Sequence, residues 1–259
     1  MVSLVEKMRH KLIGKEFKTN NCGNCFVVDY KSAMNVTVLF HDPLCAVKCT
    51  VDRLKRGTVA NPLQRNIYGR GYIGVGKYSS TENRRTYIMW LNMMGRSYDE
   101  RVHVNQPTYK ESEVCEEWWD FQNFAEWCNR EKGFDSYDAN GRVFQLDKDI
   151  LLKGNKVYSP ETCCFVPMDI NFLFTNRVNF RGNEPLGVNF SKRFGKFKAY
   201  VNIKGKRKTL GTFSTSEEAF QAYKKAKEAY IKEVAQAWKG KIIDKVYQSL
   251  LEWKIEITD

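Results

Sequence analysis

The sequence contains no long apolar run. None of its hydrophobic stretches approaches the roughly 18–20 residues that a membrane-spanning helix requires, and scattered charges across residues 1–18 leave no apolar core for a signal peptide. Low-complexity stretches are also absent and aromatic residues are plentiful, which predicts folded structure throughout. These absences predict a cytoplasmic protein that has no membrane partner.

Histidine is scarce, because the chain has only His10, His41 and His103. Histidine is the usual general base near neutral pH, so there are few candidates for that role. His103 lies in a polar stretch between two predicted helices (86–100 and 114–130) and is the candidate catalytic base. The alternative is an ordinary surface histidine.

Acidic residues are missing from a long segment near the C-terminus. The formal net charge of the chain is +12, and residues 185–211 contain eight Lys and Arg but no Asp or Glu. A basic segment of this kind predicts binding of phosphate groups, as in a nucleic acid. A solvated surface is the alternative interpretation.

Cysteine, by contrast, is well represented, with eight residues. The pairs Cys22–Cys25 and Cys45–Cys49 have spacings that a four-thiolate zinc site would permit. Their flanks are typical of packed strands, so buried free thiols in a reducing compartment are the favoured interpretation. The sequence leaves zinc binding by these four residues open.

Short β-branched and aromatic segments separated by turns fill residues 14–62. They predict four or five strands in a small β-barrel-like module. The glycine-bearing stretch 69–76 lacks the strand and helix context of a phosphate-binding loop and is interpreted as a connector. Arg65, Arg70 and Lys77 near it are candidates for contact with a phosphate backbone.

Residues 145–167 carry a more specific pattern, QLDKDILLKGNKVYSPETCCFVP. Residues 146–150 predict a strand, Gly154 and Asn155 a turn, and residues 156–158 a second strand. Ser159, Pro160 and Glu161 predict a helix start, because they suit the N-cap, the first helical position and the first turn. The pattern therefore predicts a ββα unit.

This pattern, with the aromatic series before it, resembles the HNH-like, homing-type endonucleases of phages and mobile elements. The resemblance runs from about residue 69 to residue 174, and it implies metal-dependent DNA cleavage with Mg²⁺ or Mn²⁺. It places Asp147 at a metal ligand, Lys148 at the general-base position, Asn155 at a loop-pinning position and Thr162 at the metal ligand on the helix. Lys148 and Thr162 depart from the family, because an ammonium is a poor base and a hydroxyl is a weak ligand for a hard cation. Asp149 and Glu161 are alternative ligands.

Residues 185–230 predict three strands and a helix. Alternation along 196–203 puts Phe197 and Ala199 on one face and Lys198 and Tyr200 on the other. A turn is predicted at 204–206, and residues 215–218 (TSEE) form a capping box that starts a helix.

The stretches FGKFKAYVNI and LGTFSTSEEAFQAY resemble the DNA-binding domain of plant ethylene-response factors (APETALA-type). That resemblance implies a sheet that lies in the major groove of double-stranded DNA. It implies base or phosphate contacts from residues of all three strands and their turns: Asn189, Ser191, Lys192, Arg193, Lys196, Lys198, Tyr200, Asn202, Lys204, Lys206, Arg207, Lys208 and Thr209.

We therefore expect a multi-domain α+β protein. Its predicted parts are a β-rich N-terminal module (1–62), an HNH-like ββα core with covering helices (63–180), and a three-stranded antiparallel sheet packed on a helix with a C-terminal helix (181–259). The expected function is binding of double-stranded DNA in the cytoplasm of a bacterial host cell, with metal-dependent cleavage left open. A catalytically inactive regulator and a phage counter-defence protein that binds a host protein are the alternatives. A last helix after residue 240 packs on the core or forms a homodimer contact.

Overall fold

The computed structural model describes residues 3–174 and 184–259, and it contains both helices and several antiparallel sheets. It divides into two compact units, Met1–Asn129 and Arg130–Asp259. The boundary between them lies inside the stretch 63–180 that the sequence assigned to one core. Among the described residues, no helix combines the length and the apolar character that crossing a membrane would require.

The first unit begins with a helix and a four-stranded antiparallel sheet, in which the strands follow in chain order. These elements are α1 (Leu4–Leu12), β1 (Glu16–Lys18), β2 (Asn24–Ser32), β3 (Asn35–His41), β4 (Leu44–Cys49) and the short helix α2 (Val51–Lys55). The predicted barrel-like closure is wrong, because β1 pairs only with β2 and β4 only with β3. Leu12 of α1 and Leu54 of α2 pack against the buried side chains of the sheet, so helices cover the face that a barrel would have enclosed.

The rest of the first unit is mainly helical. It contains α3 (Arg84–Tyr98), α4 (Glu100–Asn105), the short strand β5 (Glu113–Val114) and α5 (Phe121–Arg130). The helix predicted for 114–130 starts later than expected, because a 3₁₀ turn (Glu116–Trp119) precedes it. Its aromatic residues form core as the spacing indicated: Trp118, Phe121 and Phe124 are fully buried.

The first part of the second unit contains β6 (Gln145–Asp147), β7 (Val157–Tyr158), β8 (Cys164–Val166) and α6 (Met168–Asn171). The helix predicted to start at Ser159 is wrong. The Ser159 carbonyl accepts the N–H of Cys163 in a single turn (3.0 Å), and the chain then extends as β8, which pairs antiparallel with β6. Every residue of β8 is buried, so burial of this short apolar run outweighs the local helix signal.

The C-terminal part of the second unit is a three-stranded antiparallel sheet with two helices. It comprises β9 (Val188–Ser191), β10 (Lys196–Ile203), β11 (Lys206–Phe213), α7 (Ser216–Trp238) and α8 (Asp244–Glu252), and β10 is the central strand. The predicted capping box is present at Thr215 and Glu218. Ala199 and Val201 of β10 are buried, and helix α7 packs on the sheet.

Candidate nucleic-acid interface

The register of the C-terminal sheet defines which side chains share its exposed face. Directly opposed residues of an antiparallel pair lie on the same face. Lys198 opposes Asn189 on β9 and Thr212 on β11, while Tyr200 opposes Thr209. The face turned away from α7, which we call the basic face, is formed by Asn189, Ser191, Lys196, Lys198, Tyr200, Asn202, Arg207, Thr209 and Thr212. It contains three cations and no carboxylate.

A β-bulge at Leu210 decides which residues of β11 join this face. Ala199 opposes Gly211, but the next residue, Tyr200, opposes Thr209, so Leu210 has no opposing residue. Simple alternation from Gly211 would have put Thr209 and Arg207 on the side of α7. The extra residue reverses the alternation and brings both onto the basic face.

Lys206 and Lys208, two of the predicted phosphate contacts, lie on the other side of the sheet. Lys208 opposes Val201 and Lys206 opposes Ile203, both on the side that α7 covers. The two lysines are exposed at the end of the sheet, so they remain solvated without belonging to the basic face.

Aromatic rings contact two of the three cations of the basic face. The guanidinium carbon of Arg207 lies 3.8 Å from the centre of the Tyr200 ring. Lys198 Nζ lies 5.1 Å from the ring centre of Phe194, which also lies 5.3 Å from the guanidinium carbon of Arg193. Phe194, in the β9–β10 turn, is 57% exposed and was not among the predicted contacts. A cation on a ring keeps its N–H groups free for an outside acceptor.

The two hairpin turns carry the remaining predicted contacts. Lys192 and Arg193 lie in the β9–β10 turn, next to the basic face. Lys204 lies in the β10–β11 turn at φ +51, where its N–H donates to the Tyr230 hydroxyl (3.1 Å). Its Nζ lies 3.3 Å from the Glu233 carboxylate, so Lys204 is partly neutralised, whereas the cations of the basic face have no such ion pair within the described residues.

The predicted metal loop of the second unit is an internally bonded structure. Lys148 is 6% exposed, and its Nζ donates to Asp149 Oδ1 (2.7 Å) and to the Asn155 carbonyl (2.8 Å). Asn155 donates to the carbonyls of Lys148 and Val157 and accepts from the Val157 N–H, so its amide joins the two sides of the loop. Asp147 Oδ1 accepts the N–H groups of Asp149 and Ile150.

Taken together, the side chains of this loop do not fit a divalent-metal centre. Burial raises the pKa of Asp147, which disfavours its charged form. Thr162 Oγ1 donates to the Val157 carbonyl (2.8 Å) and lies 3.1 Å from Ser159 Oγ, which satisfies the hydroxyl. Hard cations prefer several carboxylate or carbonyl oxygens, but here the buried ammonium of Lys148 follows Asp147 in sequence and is ion-paired with Asp149, one of the alternative ligands. Within the described residues, no three His, Cys, Asp or Glu side chains group as metal ligands.

The other candidate chemical groups lie in the first unit. His103 is on α4, and its Nε2 lies 2.8 Å from the carbonyl oxygen of Arg96 in the last turn of α3, so the ring is anchored to the preceding helix. Cys25 on β2 and Cys45 on β4 both oppose Phe40, which is on the strand between them. Their backbones are therefore two strand spacings, about 10 Å, apart. A single zinc ion cannot bridge that span. Burial raises the pKa of the Cys25 thiol to about 11, as expected for an inert core thiol.

Comparisons of the chain with protein families, with curated proteins and with solved structures found no match.

Proposed function

We propose that the chain binds double-stranded DNA through the basic face of its C-terminal sheet. The observation that carries this proposal is the register of the three strands, which gathers Lys196, Lys198 and Arg207 with hydrogen-bonding side chains on one uncovered face. An acid-free face of this kind attracts a phosphate backbone, and its amides and guanidinium offer donors and acceptors to base edges.

Roles within the face follow from side-chain chemistry. Asn189 and Asn202 have the paired donor and acceptor that adenine offers in the major groove. Arg207 has the planar fork that suits guanine or a phosphate. Lys196 and Lys198 are point charges, which we assign to phosphate groups.

We propose further that the loop 145–167 stabilises the fold and does not cut DNA. The contacts of Lys148, Asn155 and Thr162 support this, because each side chain is engaged by a neighbouring carbonyl or carboxylate. The protein would then act by occupying DNA, as a regulator of HNH-like descent does.

The experiment compares two charge-matched double variants. Lys198→Gln with Arg207→Gln removes two cations from the basic face, and Lys206→Gln with Lys208→Gln removes two from the other side of the same sheet. Selection of binding sites from random duplexes comes first, and the affinity for the selected site is then measured against salt.

The basic-face variant should lose the preference for the selected site, and its slope of log affinity against log salt should fall by about 1–2, at roughly 0.9 for each of the two side chains that contacts a phosphate. The other variant should keep the preference. Equal losses in both variants would contradict the assignment of the face. Stronger competition by an acidic protein than by duplex DNA would indicate a host-protein partner, and Mg²⁺-dependent ends in the bound DNA would indicate a nuclease.

A further inference from the structure

Two aromatic rings of the first unit are fixed by the backbone of one residue, Val114. The Val114 carbonyl accepts from Trp119 Nε1 (3.1 Å) and from the Tyr98 hydroxyl (3.2 Å). The Val114 N–H in turn donates to the Tyr98 hydroxyl (3.0 Å). The two rings are therefore anchored at their polar ends, and they form a rigid platform.

Two arginines lie against this platform. The guanidinium carbon of Arg70 is 5.1 Å from the centre of the Trp119 ring and 6.0 Å from that of Tyr98. The guanidinium carbon of Arg65 is 5.3 Å from the centre of the same Trp119 ring. Both arginines are exposed, and neither forms an ion pair with a carboxylate of the described residues. Their positive charge is thus concentrated around the Trp119 ring.

A tight hairpin positions Arg70. Ile67 and Gly71 exchange backbone hydrogen bonds of 3.0 and 2.8 Å across a three-residue turn. The turn residues are Tyr68 at φ +50, Gly69 at φ +70 and Arg70, whose N–H donates to the Ile67 carbonyl (3.1 Å). The defined turn and the ring contacts restrict the arginine before any ligand arrives, which lowers the entropy cost of binding.

We propose that Arg65 and Arg70 form a second nucleic-acid contact, on the first unit, which binds phosphate groups of the backbone. Guanidinium groups that lie on rings still present their N–H edges, and two such edges can engage phosphate oxygens. Because the guanidiniums lie over the Trp119 and Tyr98 rings, these rings are not free to stack on bases. The contact therefore supplies affinity without sequence preference. It does not depend on the basic face.

The test uses the full chain and two charge-matched double variants of the first unit. Arg65→Gln with Arg70→Gln removes the proposed pair. Arg53→Gln with Arg56→Gln removes two exposed arginines, one in α2 and one directly after it, of which Arg56 is ion-paired with Asp52. Circular dichroism and thermal unfolding confirm that each variant is folded.

The Arg65/Arg70 variant should bind duplex DNA of any sequence about tenfold more weakly at moderate salt. Its salt slope should fall by about 2, while the ratio between selected and scrambled sites stays unchanged. The Arg53/Arg56 variant should bind like the parent. Identical behaviour of the two variants would overturn the proposal. So would an Arg65/Arg70 variant that loses its preference for the selected site while its slope of log affinity against log salt stays unchanged.

A second arm separates this contact from the basic face. In a chain that carries Lys198→Gln and Arg207→Gln, the remaining affinity for DNA should fall about tenfold further when Arg65→Gln and Arg70→Gln are added. Phenylglyoxal modification read by mass spectrometry should show that DNA protects Arg65 and Arg70 more than Arg56. Remaining affinity that does not respond to the two arginines, or a parent chain that binds no nucleic acid, would overturn the inference.

Discussion

The guanidinium of Arg207 stacks on the ring of Tyr200, 3.8 Å from its centre. The two residues are on neighbouring strands, since Tyr200 opposes Thr209 and Arg207 opposes Asn202. This diagonal contact fixes a planar, permanently charged group on the basic face, near the β10–β11 turn. It depends on the bulge at Leu210, without which Arg207 would have turned toward the helix.

Arg207→Lys is expected to show how much of DNA binding depends on the charge of Arg207 and how much on its planar side chain. Lysine keeps the positive charge but loses the planar fork and the stacking on Tyr200. Affinity for scrambled duplex should change little, whereas discrimination for the selected site should fall by about 1–3 kcal/mol, the usual contribution of a bidentate base contact. Titrations of both duplexes at one salt concentration measure this. Unchanged discrimination would mean that Arg207 contacts only phosphate.

Gly187→Ala is expected to damage the C-terminal sheet more than Gly205→Ala. Both glycines have positive φ, +72 and +75, so an added Cβ carries a backbone cost of about 1–2 kcal/mol at either site. At Gly187 the Cβ would also lie 2.1 Å from the Tyr223 ring, whereas at Gly205 it meets nothing within 4 Å. Overpacking should add about 1–3 kcal/mol to the destabilisation by Gly187→Ala. Urea unfolding of the two variants measures the difference, and equal destabilisation would contradict this packing.

The sequence predicted the C-terminal hairpin and helix well because their signals are local. The alternation of residues 196–203, the turn at Lys204 and Gly205, and the capping box of α7 each depend on neighbours in the chain. The same is true of the aromatic spacing that puts Phe121 and Phe124 in the core.

The features that the sequence did not predict depend on partners distant in the chain. Ser159 and Pro160 carry a helix signal, but the following residues pair with β6, nearly twenty positions earlier, and become a buried strand. The bulge at Leu210 is visible only in the register against β10, and so the placement of Lys206 and Lys208 could not be inferred from their position in a basic run. The ring contacts of Arg65 with Trp119 likewise join residues far apart in sequence.

Lys148→Met is expected to lower stability and leave DNA binding intact. The substitution removes the ammonium that joins Asp149 to the Asn155 carbonyl, and this half-buried carbonyl would lose the ammonium as its partner. We expect a loss of about 1–3 kcal/mol in the free energy of unfolding. Lys132→Met, at an exposed position of the same unit, should change it by no more than about 0.5 kcal/mol.

The same Lys148 variant tests the loop as a catalyst. Parent and variant are incubated with DNA in Mg²⁺, in Mn²⁺ and in chelator, and DNA ends are sequenced. No metal-dependent ends are expected from either protein. Ends that the parent produces and the folded Lys148→Met variant does not would show that the loop is a nuclease centre.

Asp120→Asn is expected to change how the stability of the first unit depends on pH. Burial raises the pKa of Asp120, although its Oδ1 accepts the Gln122 N–H at 2.8 Å. A carboxyl whose pKa is higher in the folded state binds its proton more tightly there, so it favours folding most at pH values below the ordinary carboxyl pKa. That contribution is lost as the pH rises from the ordinary carboxyl pKa through the folded-state pKa. Asparagine keeps the acceptor for Gln122 without the charge.

The free energy of unfolding of Asp120→Asn should therefore rise relative to the parent as the pH increases through this window, and the difference should become constant at higher pH. Urea unfolding at a series of pH values measures it, with Asp52→Asn, an exposed residue of the same unit paired with Arg56, as the control. A difference that falls as the pH rises would mean that Asp120 is stabilised as a carboxylate, and that its hydrogen bond to Gln122 outweighs its burial.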